Sequence, residues 1–162
     1  SYNVRYQDTG YFLEKYVAKD AYHGDTGASD CAFGNNIRYY RYAETLLNAA
    51  ELVIAGYGTG EAEKWLNEVH QRAIPGEKIE ATLENIKTER HLEFVGEGKR
   101  YFDLVRWGDA AKVLVAEDDE NFTVASDKGR MGNWTEAHKY LPIPLSEIDA
   151  SNNTLKQNPA YL

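Results

Sequence analysis

Charged residues crowd the stretch from 89 to 103, and their types could support two kinds of chemistry. A carboxylate pair of unequal proton affinity, or a nucleophile beside a base, would make a catalytic centre. Interleaved carboxylates and guanidiniums on helix faces would instead make an ion-pair network. The second reading fits Arg90, which lies in an apolar stripe between Ile86 and Phe94. A guanidinium is tolerated there only with a carboxylate close by, and Glu93, Glu97 and Asp103 are the candidates. Arg90, Glu93, Glu97, Arg100 and Asp103 are therefore assigned to a structural network that fixes how two helices meet. His91, flanked by Glu89 and Glu93, lacks the second histidine four positions away that a zinc helix needs, and reads as a helix-surface residue. His23, Asp25, Asp30 and Cys31 offer mixed ligands at irregular spacing, which suits a turn-rich loop better than a metal site. No catalytic residue, metal site or cofactor is assigned.

A different chemistry is available to the aromatic residues. Twelve tyrosines, three tryptophans and five phenylalanines exceed what the helix stripes use. Sugar rings present flat C–H faces that lie against aromatic side chains, with polar neighbours taking the hydroxyls. Tyr22, His23, Asp25, Asp30 and Phe33 form one such mixture, and Asn133-Trp134 forms another. Tyr22, His23, Asp25, Asp30 and Trp134 are the candidate ligand-binding residues. The competing reading is that each aromatic pins its loop to the helical core.

Helices must position these groups. A chain of 162 residues that is 43% hydrophobic and 27% charged has the balance of a folded domain with a core. Its net charge of −8, without a basic patch, argues against nucleic acid. No segment approaches the ~18 consecutive apolar residues of a membrane span. Residues 1–36 read as irregular coil, with the run from Asp20 to Asn36 rich in turn formers. From Ile37 to Ala55 apolar residues recur by threes and fours until Gly56, Gly58 and Gly60 intervene. Glu61 to Arg72 repeats the pattern and Ile74-Pro75-Gly76 closes it, so the two predict a helical hairpin of tetratricopeptide-like span. Thr82 to Gly96 predicts a central helix covered on two faces, with Ile79, Leu83, Ile86 and Phe94 on one side and Leu92 and Val95 on the other. Gly96-Glu97-Gly98 ends it, and a short helix from about Lys99 to Trp107 follows. After Trp107 the pattern breaks into a loop-rich end, 109–162. There Glu117 to Trp134 reads as a solvated excursion, and Pro142 and Pro144 force extended backbone before a helical turn near Leu145 to Ile148.

The stretch TERHLEFVGEGKRYFDLVRWG resembles the signature helix pair of the SusD/RagB family, outer-membrane nutrient-binding lipoproteins. Glu89-Arg90, Glu93, Glu97-Gly98, Arg100, Asp103-Leu104 and Arg106-Trp107-Gly108 stand where that pattern wants them, with His91 and Val95 as variations. GYFLEKYV, RYAETLLNAAEL and LPIPLSEI followed by QNPAY are similar to further family segments, with Ala160 in place of the usual glycine. The resemblance implies a mainly α fold of tetratricopeptide-like hairpins with long irregular loops, part of a SusD-like helical fold. The chain is then the carboxy-terminal portion of a single larger domain, divided as 1–36 loop, 37–108 helical body and 109–162 loop-rich end. It also implies non-catalytic capture of a glycan at the outer cell surface and delivery to a SusC-like TonB-dependent transporter. The membrane would be reached only through a lipid anchor on the amino-terminal portion. A helical scaffold that binds protein or peptide, suggested by the 37–73 hairpin, and a glycan hydrolase are the rival readings.

Overall fold

The computed structural model describes residues 13–16, 36, 38–115, 133–152 and 154–161. The run from Asp20 to Asn35, with Tyr22, His23, Asp25 and Asp30, lies outside the described residues, as do Cys31 and residues 117–132 of the expected excursion. Six α-helices carry the described chain: α1 (Tyr42–Ile54), α2 (Ala62–Ala73), α3 (Leu83–Glu93), α4 (Arg100–Trp107), α5 (Ala110–Val113) and α6 (Leu145–Ala150). No strand occurs among the described residues, and none of these helices is long and apolar enough to cross a membrane. Two compact units form, one over Leu13–Arg100 and one whose described residues lie within 101–161.

In the first unit α1 and α2 pair as the expected hairpin and α3 packs on both. The spacing of Leu46, Leu47 and Ala50 on α1, and of Ala62, Leu66 and Val69 on α2, brings these side chains together with Ile86 and Phe94 in one core. α1 begins at Tyr42, later than the periodicity from Ile37 suggests. Its N-cap, Arg41, is extended (φ −133°, ψ 157°), which frees that side chain to reach away from the helix. Trp65 packs at the edge of the core, and Gly60 leaves room for its indole, which a Cβ at that position would overlap.

The entry to α3 is held by a side chain. Asn67, buried on α2, accepts from the Ile79 amide at 2.9 Å and donates to the Ile79 carbonyl at 2.7 Å, taking the place of a neighbouring strand. Thr82 then caps α3, its hydroxyl accepting from the Asn85 amide at 3.1 Å.

The expectation that α3 is covered on two faces needs correcting among the described residues. Its buried side carries Ile86, Glu89, Arg90 and Glu93, while Leu92, opposite, is 64% exposed and Val95 is 46% exposed. The reason is electrostatic: both α1 and α2 supply partners for Glu89, Arg90 and Glu93, so both settle on that one side. Leu83, grouped by spacing with Ile86, is also exposed at the first turn.

In the second unit Leu104 and Ala110 are buried, with Tyr101 and Val105 half-buried on α4. Pro142 and Pro144 remove the backbone donors on either side of Ile143, so that stretch cannot build a ladder. Side-chain amides replace it. The Ile143 amide donates to Gln157 Oε1 and its carbonyl accepts from Gln157 Nε2, both at 2.8 Å, and Asn158 Nδ2 donates to the Leu141 carbonyl at 2.7 Å.

Replacing Asn67 by alanine strands both polar groups of Ile79 and is expected to cost about 1–3 kcal/mol. Phe94→Ala, which opens a cavity, is expected to cost about 3–5 kcal/mol. Urea melts followed by far-ultraviolet dichroism measure both. Leu92→Ala, at an exposed position, serves as reference and should stay within about 0.5 kcal/mol of the parent.

Candidate functional site

The charged cluster assembles around an arginine that spacing alone does not single out. Arg41 grips Glu97 with two parallel hydrogen bonds, Nε to Oε2 at 2.9 Å and Nη2 to Oε1 at 2.7 Å, and reaches Glu93 Oε1 from Nη1 at 2.7 Å. The Glu93 and Glu97 carboxylates are almost fully buried, with side chains 5% and 2% exposed. Arg72 completes Glu93 at 2.6 Å from the end of α2, and Lys15 completes Glu97 from the 3₁₀ turn Glu14–Tyr16. Gly96, between the two carboxylates, has φ +77°, and a Cβ there would run into Leu13 on the same approaching segment.

Arg90 occupies the adjoining position. It donates to Asn48 Oδ1 at 2.6 Å and lies 3.9 Å from Glu44, both on α1. The Arg41 and Arg90 guanidiniums both lie over the Phe94 ring, 5.2 and 5.1 Å from its centroid. Lys99 adds an ion pair to Glu44 at 3.0 Å. Deeper between α2 and α3, His70 Nδ1 meets Glu89 Oε2 at 2.8 Å. Of the remaining predicted members, Asp103 is buried and accepts from Arg106 Nε at 2.9 Å, and Arg100 opens α4 half-buried. His91 is exposed.

Charge state follows from this geometry. Burial alone would raise the pKa of Glu93 and Glu97, but the hydrogen bonds and charge of Arg41, with Arg72 on Glu93 and Lys15 on Glu97, outweigh it and hold both below the ordinary value of 4.5. Reciprocally, the hydrogen bond to Glu97, more than that to Glu93, raises the Arg41 pKa against its burial. At neutral pH these groups are ionised and saturated with partners, which suits a clamp and not proton transfer. No group of three metal-ligating side chains occurs among the described residues.

Trp134, the one predicted ligand residue among those described, lines a cleft of about 460 Å³ in the second unit. Its amide donates to the Leu114 carbonyl at 2.8 Å, just after α5. Its indole Nε1 donates to the Tyr101 hydroxyl at 3.2 Å, and that hydroxyl donates in turn to the His138 carbonyl. His138 ends a capping box on the 3₁₀ turn Glu136–Lys139: the Thr135 amide donates to His138 Nδ1 at 3.0 Å. Its ring stands edge-on to Tyr161, with centroids 6.3 Å apart and planes at 72°. Asn133 stands at the rim, and Leu141 adds to the apolar wall. The lining is thus mainly aromatic and aliphatic with few polar groups, the composition of a small-molecule site. Tyr101, His138 and Tyr161 were not among the predicted ligand residues: Tyr101 and Tyr161 are far from Trp134 in sequence and only folding collects them, while His138, though close in sequence, carries no local signal of a shared cleft.

A set of paired helices with no strand among the described residues, and an aromatic cleft lined from α4 and the segments after it, defines an α-helical protein of tetratricopeptide-like build. A sequence model of the SusD family matches residues 1–161, and the chain belongs to that family. Surface glycan-binding protein A from Bacteroides thetaiotaomicron, solved in complex with laminarihexaose, is 55% identical and superposes with a TM-score of 0.84 over 98% of this chain and 32% of that one. A laminarin-binding SusD-like protein is 34% identical, with a TM-score of 0.77 over 98% of this chain and 31% of that one. A SusD-like protein of Formosa agariphila is 31% identical over 131 residues, 70% of this chain and 24% of that protein. The chain therefore spans about a third of the length of the solved relatives and about a quarter of the curated one.

Depressed carboxylate pKa values in the folded state mean that the unfolded chain takes up its protons first. The clamp's contribution to stability is then complete above about pH 4.5 and is lost as pH falls below it. In acid titrations of stability, Glu93→Gln with Glu97→Gln should flatten the decline below that pH. Arg41→Ala, which leaves two buried carboxylates short of a partner, should cost about 3 kcal/mol or more at neutral pH. Arg41→Lys keeps the charge without the planar fork and should restore only part of it.

Proposed function

We propose that the protein carrying this chain captures a laminarin-type glycan at the outer cell surface without cleaving it and hands it to a SusC-like TonB-dependent transporter. The observation that carries this reading is family membership together with 55% identity to a surface glycan-binding protein solved with laminarihexaose. A second laminarin-binding relative at 34% identity supports the same ligand class. Membrane attachment in this reading is through a lipid anchor on the amino-terminal portion.

Within this reading the two charged and aromatic clusters divide the work. The clamp around Glu93 and Glu97, together with Arg90, Arg100 and Asp103, is scaffold. The loop aromatics and their polar neighbours, Tyr22, His23, Asp25 and Asp30 on one loop and Trp134 on another, are the ligand-facing candidates.

Affinity electrophoresis in a laminarin-containing gel, followed by analysis of the gel for released oligosaccharide, tests capture. Retardation without product supports it; product formation would make the protein a hydrolase, and free migration in laminarin and other glycans alike would remove glycan capture. Co-purification of a TonB-dependent transporter from detergent-solubilised outer membranes tests delivery. Arg90→Ala should lower the melting temperature, by the roughly 3–5 kcal/mol of a broken buried pair, while leaving retardation of the folded protein unchanged. Lost retardation at an unchanged melting temperature would move Arg90 from scaffold to ligand site.

A further inference from the structure

The cleft of the second unit joins a fixed aromatic plane to a free ring donor. We propose that it is a subsite for one pyranose unit of the captured glycan, with the Trp134 indole face as its stacking platform and His138 Nε2–H as the donor to a ring hydroxyl. This rests on the glycan-capture reading above and adds the residues, their roles and the size of the unit bound.

Three observations carry it. The first is that the Trp134 indole is already spent as a hydrogen-bond donor. Its Nε1–H goes to the Tyr101 hydroxyl at 3.2 Å, and its backbone amide to Leu114 at 2.8 Å. What it offers a ligand is therefore its face, held in one orientation before binding. A preset platform spares the ligand the cost of freezing a mobile side chain.

The second is the tautomer of His138. The Thr135 amide can only donate, and it does so to Nδ1 at 3.0 Å, so the neutral ring carries its proton on Nε2. The 3₁₀ turn that needs this cap thus leaves Nε2–H as the ring's donor, on a residue that lines a mainly apolar cleft. Tyr161 holds the same ring edge-on from the other end of the unit.

The third is size and character. About 460 Å³ lies in the range of small-molecule sites and well below what an extended polysaccharide segment would fill. The apolar floor with a few polar groups at the edge, Asn133 among them, matches a sugar's C–H face ringed by hydroxyls.

Calorimetric titration of the complete protein with laminarihexaose, maltohexaose and xylohexaose, for the parent and four variants, tests the assignment. Trp134→Ala should weaken binding at least tenfold, about 1.4 kcal/mol, whereas Trp134→Phe, which keeps a flat face, should retain most of the affinity. His138→Ala should weaken binding severalfold. His138→Gln, whose amide can accept from Thr135 and also donate, should recover most of it, a rescue that a purely packing role would not give. The 19F signal of 5-fluorotryptophan at position 134, identified by its loss in Trp134→Phe, should shift when the bound hexaose is added, which reads cleft occupancy in the folded parent whatever the stability of the variants. A parent that binds while this signal stays fixed, or while folded Trp134→Ala binds equally well, overturns the subsite and leaves glycan capture standing. A parent that binds none of the three hexaoses overturns both.

Discussion

The clamp of Arg41 on Glu93 and Glu97 is the interaction on which the first unit depends. It ties the start of α1 to the end of α3 and to the turn beyond, across more than fifty positions of sequence. A carboxylate that deep in protein is costly unless its lone pairs are filled, and the planar guanidinium fills them in pairs. The backbone concedes to this demand. Arg41 stays extended so that its side chain can turn away from α1, and Gly96 takes a positive φ so that Glu93 and Glu97 both face the same cation. Phe94, between them, closes the apolar core under two guanidiniums. Charge and core meet at one residue, so neither can rearrange without the other.

Where helices end, single side-chain amides do the work of a strand. Asn67 satisfies Ile79 on the way into α3, and Gln157 does the same for Ile143 between two prolines. Each amide offers one donor and one acceptor at the spacing of a peptide group, so it matches both polar groups of one residue. This lets irregular segments pass close to helices without leaving backbone groups unpaired. The same economy shapes the cleft, where the Trp134–Tyr101–His138 chain of hydrogen bonds ties Trp134 and the 3₁₀ turn after it to α4.

The two clusters differ in what they leave over for a ligand. Around Glu93 and Glu97 every strong group faces another, and binding a sugar there would mean breaking a satisfied network. In the cleft Trp134 and Tyr101 spend their polar hydrogens on protein acceptors, so what these side chains have left over is ring surface. Rigid backing with an apolar front is the arrangement that lets a family member vary its ligand by changing loops while keeping its helices.

Much of the scaffold was legible in the chain itself. Apolar spacing placed α1 and α2 to within a few residues, Thr82 marked the start of α3, and the prolines announced the extended stretch before α6, because each of these rests on local backbone preference and helical period. The buried charge of Arg90 was legible as well, since a guanidinium in an apolar stripe demands partners. What was not legible is that Asn48 and Glu44 meet Arg90 from α1 and that Arg41 takes Glu93 and Glu97. The exposure of Leu92 and Val95 was equally hidden, because periodicity marks a face as apolar without saying which elements will cover it. Trp134 was recognisable as a loop aromatic beside a polar neighbour, yet its setting with Tyr101 and Tyr161 joins residues decades apart along the chain. Local period and propensity act over a few residues and are written in order; pairing of charges and closure of a cleft are settled by which segments the fold brings within a hydrogen bond, and only the tertiary structure decides that.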